Sequence, residues 1–204
     1  MEFVTMFLDS LLAFILLYKY LGLFLIAFVA ALLLPLPSST ALAAAGAFAS
    51  QGYLDFTTVI LVALAGNIGG DVTGYLLARR FGIPVLSRIG FRRLFATPQY
   101  ASLARYIADF APSLVFFTRF MTTVGPTVNI LSGVTKVPKK TFFLYDALGE
   151  TSYVLLYGGA GYALGTQWEN NLAFLAEAGL VFALLGVVMI LIRSGLSRRN
   201  SRTT

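Results

Sequence analysis

Four ionisable side chains stand inside strongly apolar stretches of the sequence, and they are the residues best placed to carry chemistry. They are Asp71 in GNIGGDVTGY, Arg119 in FFTRFMTTVGP, and Asp146 and Glu150 in LYDALGETSY. An ionisable group in a membrane segment costs about 2.5–3.5 kcal/mol on insertion scales, so it is expected to serve a function or to meet a partner. The pattern predicts either a substrate or proton site, or a structural ion-pair cluster.

The type of each side chain indicates what such a site would bind. The guanidinium of Arg119 is always charged, and its planar fork grips a phosphate group through two hydrogen bonds. Asp146 and Glu150 are one helical turn apart, where two like charges repel. A bound cation, a shared proton or Arg119 would relieve this repulsion. Further polar residues predicted to line the substrate and coupling site are Thr122, Thr127, Asn129, Ser38 and Ser39.

The composition bounds the class of protein that could present these residues. Of the 204 residues, 58% are hydrophobic and only 12% are charged, which is typical of an integral membrane protein. The chain has no cysteine and no histidine, so thiol nucleophiles, imidazole bases and metal sites with Cys or His ligands are excluded. We therefore predict neither an enzyme nor a bound cofactor or metal.

Length and hydropathy divide the chain into crossing segments and interrupted segments. About 20 apolar residues are needed to cross a bilayer as a helix. The predicted crossings are residues 11–34, 57–78, 141–164 and 172–192. Two further apolar pieces, 35–50 and 110–133, contain proline and hydroxyl or amide residues. Because irregular backbone at membrane depth is tolerated only against protein or a water-filled cavity, we predict that both are re-entrant hairpins.

The basic residues predict the orientation of these segments. Arginines are frequent in the linker 83–107, which predicts an interfacial amphipathic helix or pair of helices, with a solvated basic loop as the alternative. This linker and the basic tail 193–204 should face the cytoplasm, which also puts the N-terminus inside. The net charge of +6 then fits contact with anionic lipid headgroups rather than nucleic acid. A multi-pass protein of the cell membrane is predicted, and a homodimer is left open.

An internal repeat gives the predicted fold its organisation. Gly66 and Gly82 are separated by the same interval as Gly149 and Gly165, and Ala45–Gly46 parallels Ser132–Gly133. A hairpin plus one crossing, repeated, is inverted across the membrane, as in many transporters. A chance match is the alternative, since glycine is frequent in membrane helices. The residues assigned a structural role are Pro35, Pro37, Gly66, Gly70, Pro126 and Gly133.

These features together predict one all-α integral membrane domain, residues 1–204. It would contain two inverted repeats, each with a re-entrant hairpin and a transmembrane helix. An N-terminal helix, a C-terminal helix and the interfacial segment would be additional to the repeats.

From about Phe28 to Gly165 the chain resembles the DedA family of the VTT (SNARE-associated Golgi protein) superfamily, as a divergent member. GNIGGDVTGYLLARRFG resembles the motif Gly-x-x-x-Gly-Asp-x-x-x-Tyr-x-x-Gly-Arg of that family, and TRF…SG resembles the start and end of its second hairpin. The matching positions are Gly66, Gly70, Asp71, Tyr75, Arg79, Gly82, Arg119, Phe120 and Gly133. The chain departs from the family at Ala30 and Ser39, where acids are usual, and at Ala78, Thr122 and Gly125.

The resemblance implies a transporter that moves a phosphate-bearing lipid, undecaprenyl phosphate or a phospholipid, across the cytoplasmic membrane. Arg119 would bind the phosphate, and Asp71, Asp146 and Glu150 would provide proton or cation coupling. A proton- or ion-coupled exporter of a small solute is one alternative. A non-transporting membrane-homeostasis protein, in which the charged residues only stabilise packing, is the other.

Overall fold

The computed structural model describes residues 2–32, 36–88, 99–121, 124–167, 171, 180–181 and 184–189. Regular secondary structure in these ranges is helical and includes no strand, which confirms the predicted α-helical class. The helices are α1 (Glu2–Leu32), α2 (Ser38–Ser50), α3 (Phe56–Leu86), α4 (Gln99–Phe117), α5 (Gly125–Val134) and α6 (Lys139–Leu164), with 3-10 turns at Thr118–Phe120 and Gly165–Gln167.

The chain forms two compact units. Unit 1 comprises Met1–Gly74 and Glu150–Ala176, and unit 2 comprises Tyr75–Gly149 and Glu177–Thr204. The long helices α3 and α6 therefore contribute one part to each unit, whereas α1 and α2 belong to unit 1, and α4 and α5 belong to unit 2.

Unit 1 contains a pair of short helical arms. Helix α1 is broken at Lys19 (φ 47°, ψ −122°), so the predicted crossing 11–34 is not one straight helix. Residues 20–32 and the 13 residues of α2 each span about 20 Å, less than the roughly 30 Å of a hydrocarbon core. A re-entrant turn in the middle of 35–50 would break the helix there. Helix α2 is continuous instead, so the chain does not reverse within it.

The prolines of the predicted segment 35–50 precede α2 because proline suits the start of a helix but not its interior. Pro37 occupies the N-cap position, and Pro35 lies outside the described residues. At the other end, Gly52 (φ 82°) closes the helix with bonds from its own N–H to Ala49 O and from Tyr53 N–H to Phe48 O. This pair of bonds is a Schellman motif.

Asp55 caps α3 directly after this turn. Its Oδ1 accepts hydrogen bonds from the backbone N–H (2.8 Å) and the hydroxyl (2.6 Å) of Thr58, and these bonds hold the pKa of the Asp55 carboxyl below its ordinary value. The N–H of Asp55 donates to the hydroxyl of Tyr20 at 2.9 Å, which connects α3 to the arm that follows the Lys19 kink.

Glycines allow the helices of unit 1 to pack backbone against backbone. A Cβ atom at Gly46 of α2 would overlap the carbonyl oxygen of Gly158, and one at Gly161 would overlap that of Ala43. A Cβ atom at Gly66 of α3 would lie 2.8 Å from the carbonyl oxygen of Phe24. Side chains at these positions would therefore separate α2 from α6, and α3 from α1.

Unit 2 also contains two short arms around a break. Helix α4 is kinked at Phe110 (φ −114°, ψ 15°), and residues 111–120 end in the 3-10 turn. After the break, the 10 residues of α5 begin with Pro126 in the first turn, and each arm is about 15 Å long. Here the break does fall in the middle of the predicted segment 110–133.

The end of α5 repeats the geometry at the end of α2. Lys136 (φ 57°) takes the left-handed position, with bonds from its N–H to Gly133 O (3.1 Å) and from Val137 N–H to Ser132 O (3.0 Å). A Cβ atom at Gly133 would overlap the carbonyl oxygen of Tyr75, so α5 packs directly on the backbone of α3. The short helix of each unit is thus fixed by a glycine on one face and a Schellman motif at its end.

Helix α3 is longer than the predicted crossing 57–78. It is kinked at Gly82 (φ 61°, ψ −164°) and ends at Leu86, and Phe56–Pro84 is long and apolar enough to cross a membrane by length and composition. Within the predicted interfacial linker, 83–86 belong to α3 and 99–107 to α4, and residues 89–98 lie outside the described ranges.

The predicted last crossing 172–192 is described only in part. Residues 180–181 and 184–189 are helical, and a Cβ atom at Gly186 would overlap the ring of Phe117 in α4. The tail 193–204 lies outside the described residues.

Candidate functional site

Unit 2 contains a buried ion pair at the break between α4 and α5. Nη1 of Arg119, in the 3-10 turn, lies 3.4 Å from Oδ1 of Asp146 on α6, and the two side chains are 2% and 0% exposed. Two charges so far from water are retained only when each is compensated, because breaking such a pair leaves an isolated buried charge. The sequence predicted both residues as part of one site, and the structure brings them together.

The other donors of Arg119 are also engaged. Its Nε donates to the carbonyl oxygen of Val115 at 2.9 Å, and its Nη2 donates to Oδ1 of Asn129, which is buried on α5. The guanidinium therefore connects the end of α4, the short helix α5 and the long helix α6. A phosphate group entering this site would have to displace Asp146 or share the fork with it.

Small residues make this arrangement possible. A Cβ atom at Gly149 would lie 2.7 Å from Cγ of Arg119 and 2.9 Å from the carbonyl oxygen of Phe116. A Cβ atom at Gly125 would lie 3.2 Å from the carbonyl oxygen of Thr118. Gly149 therefore lets the end of α4 approach α6 closely, and Gly125 lets the start of α5 lie close to the 3-10 turn that contains Arg119.

Unit 1 contains a different polar cluster, centred on Tyr153 of α6. Its hydroxyl lies 3.1 Å from Oγ of Ser38, the first residue of α2. Ser39 and Glu150, which is one turn earlier on α6, lie within electrostatic range of this hydroxyl. Glu150 and Tyr153 are only 5% and 6% exposed. Three predicted site residues, Ser38, Ser39 and Glu150, therefore meet around a tyrosine.

Helix α3 adds two buried polar residues to unit 1. Asp71 is 1% exposed, and Asn67, one turn earlier on the same face, is 5% exposed. Sequence reasoning singled out Asp71 but missed Asn67 and Tyr153. A signal for Asn67 existed, because it directly follows Gly66 in the proposed repeat just as Glu150 follows Gly149.

The remaining predicted residues stand apart from these clusters. Thr127 is half-buried on α5, and Thr122 lies outside the described residues. Gly70 meets the backbone of Phe28 on α1, in line with its predicted structural role. The predicted site is thus described as two clusters: Arg119, Asn129 and Asp146 in unit 2, and Ser38, Ser39 and Glu150 in unit 1. Asp71 is buried on the part of α3 that belongs to unit 1.

The motif residues Tyr75 and Arg79 form a network of their own in unit 2. The Tyr75 hydroxyl donates to the carbonyl oxygen of Val137 at 2.6 Å, and Nη1 of Arg79 donates to the same oxygen at 2.8 Å and to the Tyr75 hydroxyl at 2.9 Å. The Tyr75 ring stacks on Phe142 with a centroid distance of 4.1 Å. These contacts hold the loop after α5 against α3.

Comparison with known proteins gives several matches over most of the chain. The VTT domain family matches residues 36–163. Inner membrane protein YohD of Escherichia coli (strain K12) is 32% identical, over 77% of this chain and 81% of that protein. Undecaprenyl phosphate transporter A of Bacillus subtilis (strain 168) is 23% identical, over 81% and 84%. Protein DedA of E. coli is 26% identical, over 78% and 74%. No solved structure matches the chain significantly.

Proposed function

From the premise that this chain belongs to the VTT domain family, as a protein of the DedA family, we propose that it is a transporter of a phosphate-bearing lipid. Undecaprenyl phosphate or a phospholipid would be moved across the cell membrane. A membrane location is supported by the apolar composition and by relatives named as membrane proteins. The transport activity is supported by the B. subtilis relative that is named for undecaprenyl phosphate.

The observation that carries this proposal is the position of Arg119. An arginine is held at the break between two short helical arms, and its donors converge on Asp146 and Asn129. Guanidinium groups bind phosphate oxygens through the same paired donors that bind a carboxylate. Asp146 would then act as the resting partner of Arg119, and its protonation would free the guanidinium for a phosphate group.

The re-entrant hairpins belong to the same proposal, and the lengths of their arms support them. Arms of about 15–20 Å are too short to cross a hydrocarbon core of roughly 30 Å. An arm that enters the membrane, breaks and returns on the same side would bring Arg119 to membrane depth.

The inverted repeat is supported by matching contacts in the two units. The interval from Gly66 to Gly149 also separates Tyr75 from Gly158. Gly133 of α5 meets the carbonyl oxygen of Tyr75, and Gly46 of α2 meets that of Gly158. In addition, Gly82 and Gly165 both have positive φ, 61° and 55°.

The test is lipid translocation by the full chain reconstituted in vesicles with a fluorescent undecaprenyl phosphate analogue. Arg119→Gln should abolish translocation, and Arg88→Gln, which removes an exposed arginine, should not change it. Because Arg119→Gln could also unfold the protein, the double variant Arg119→Met with Asp146→Leu provides a folded chain without the buried cation. Translocation at the wild-type rate by this double variant would remove Arg119 from the mechanism.

Assays in the same vesicles distinguish lipid transport from the alternative functions. The cluster of Ser38, Glu150 and Tyr153 favours a proton-coupled exporter of a small solute as the second candidate, because a buried carboxyl beside hydroxyl groups can take up and pass on a proton. Solute-driven proton flux without lipid movement would support that function. A chain in which Asp71 and Arg119 variants lower thermal stability, while no transport is measured for any variant, would be a non-transporting membrane protein. Release of phosphate from the lipid would point to an enzyme.

A further inference from the structure

Arg79 uses only one of its two terminal nitrogens to hold the protein together. Nη1 donates to Tyr75 and to the carbonyl oxygen of Val137. Within the ranges that the structure describes, the Nε and Nη2 groups of Arg79 make no hydrogen bond. These two groups lie on the same edge of the planar guanidinium, and parallel N–H donors of this kind bind a phosphate with two bonds.

Three lysines flank the loop that Arg79 contacts. Arg79 contacts the carbonyl group of Val137, whose neighbour in the loop is Lys136, and Lys139 and Lys140 begin α6 directly after the loop. All three lysines are exposed. The stretches 75–88 and 124–145 contain no Asp or Glu, so none of the charge on these stretches is neutralised by an acid of their own.

The lysines are not at this position to stabilise the helix. The N-terminus of a helix carries a partial positive charge, which favours anions and disfavours cations. Helix α6 nevertheless begins with Lys139 and Lys140 and has no acidic residue in its first turn. A bound anion would relieve the repulsion among these charges and that of the helix end.

We propose that Arg79, Lys139 and Lys140, with Lys136 beside them, form a surface site for a phosphate group, carried by a lipid headgroup or free in solution. Arg79 binds the phosphate through its free edge, and the lysines add charge around it. Asp146 lies two turns further along α6 than Lys139, about 10 Å along the helix axis. The site is therefore separate from the buried pair of Arg119, and binding to it does not depend on transport.

Lysine labelling of the purified full chain in neutral detergent tests the site directly. Short-chain phosphatidic acid should protect Lys139 and Lys140 from acylation, measured by mass spectrometry, and should leave the exposed Lys19 unprotected. Inorganic phosphate is a second arm. Equal protection by phosphate alone assigns the site to a free anion, and protection only by phosphatidic acid assigns it to a lipid headgroup. Absence of protection in both arms overturns the proposal.

Two conservative variants separate binding by Arg79 from its structural contacts. Arg79→Lys keeps the charge but removes the paired donors, and it should raise the concentration for half-protection about tenfold, as expected for one lost charge-assisted hydrogen bond. Tyr75→Phe weakens the same loop contact but leaves the free edge of Arg79, and it should keep the wild-type value. An equal rise of the half-protection concentration in both variants, or no rise in either, would contradict binding by the arginine edge.

Failure of the surface site can be distinguished from failure of the proposed lipid transport. The double variant Arg119→Met with Asp146→Leu should leave the protection of Lys139 and Lys140 unchanged even where it abolishes translocation. Loss of protection in this variant would overturn a separate surface site, whereas unchanged protection with normal translocation would overturn only the role of Arg119 in transport.

Discussion

The short helices α2 and α5 are fixed in the same way, but the polar side chains beside them differ. Gly46 of α2 meets the backbone at Gly158, and Gly133 of α5 meets the backbone at Tyr75, the position that corresponds to Gly158 in the proposed repeat. Each short helix then ends in a Schellman motif. The backbone framework is therefore shared by the two units at these points.

The chemistry that this framework positions is not shared. Unit 1 gathers hydroxyl groups and a carboxyl around Tyr153, whereas unit 2 buries the guanidinium of Arg119 against Asp146. Glycine contacts fix where the backbone runs, and they leave the neighbouring side-chain positions open to different residues. One packing arrangement can therefore position a carboxyl and hydroxyl groups in one unit and a buried ion pair in the other.

The glycine contacts give the largest expected effect. Gly46→Ala and Gly133→Ala should each prevent stable folding, because the added Cβ would overlap a backbone carbonyl oxygen that no side-chain rotation can move. The measurement is monodisperse yield and apparent Tm in detergent. Gly159→Ala is the matched control on α6, since nothing lies within 4 Å of its Cβ position. It should be neutral or slightly stabilising. If only one of these two variants folds stably, the two units are not equivalent at these glycine contacts.

The buried ion pair gives the next largest effect, and it is specific to unit 2. Asp146→Leu should destabilise the protein by about 3–5 kcal/mol, because it leaves the charge of Arg119 buried without its carboxylate. The double variant Arg119→Met with Asp146→Leu should recover most of this loss, since no charge remains. Apparent Tm values for the single and double variants provide the check. A double variant as unstable as the single variant would show that packing, rather than charge, governs this site.

The hydroxyl cluster of unit 1 should contribute less. Tyr153→Phe removes a hydroxyl that bonds to Ser38, and we expect a loss of about 1 kcal/mol. Tyr157→Phe is the control one turn later on α6. Tyr157 is buried to the same 6% exposure, and it makes no hydrogen bond through its hydroxyl in the described part of the chain. Equal Tm changes in the two variants would show that the Ser38 contact adds nothing.

The smallest effect concerns Asp55 and its dependence on pH. Because folding lowers the pKa of this carboxyl, its stabilisation is fully present above the ordinary value of about 3.9 and is lost as the pH falls through the lowered value. Asp55→Asn removes this titration. The Tm difference between wild type and variant should be constant from pH 7 to about pH 5 and should shrink below about pH 4. A difference that does not change with pH would contradict the capping role.

Residue type alone predicted part of this structure. Arg119, Asp146 and Glu150 are conspicuous because charges are rare in apolar segments, and burial of all three agrees with that reasoning. The α-helical class also follows from composition. Gly66 and Gly70 were assigned a structural role, and both lie against the backbone of α1.

Other features gave no signal in the sequence. The kink at Lys19 requires a positive φ at a residue that rarely adopts it, so it results from the contacts of the folded unit and not from local preference. Tyr153 lies in an apolar run where aromatic residues are ordinary, and its role depends on Ser38, which is distant in the sequence. The position of the first break could not be derived either, because prolines are compatible with a turn or with the first residues of a helix.

The glycine contacts also restrict how the molecule can move. A contact between two backbones cannot be relieved by a change of side-chain rotamer. We therefore expect α2 to move as one body with the stretch of α6 at Gly158, and α5 with the stretch of α3 at Tyr75. Bending is left to positions where the chain already departs from helical geometry, such as Lys19 and Phe110. Each short helix is therefore packed rigidly against a long helix. Any conformational change would have its hinges in the arms that lead to the short helices.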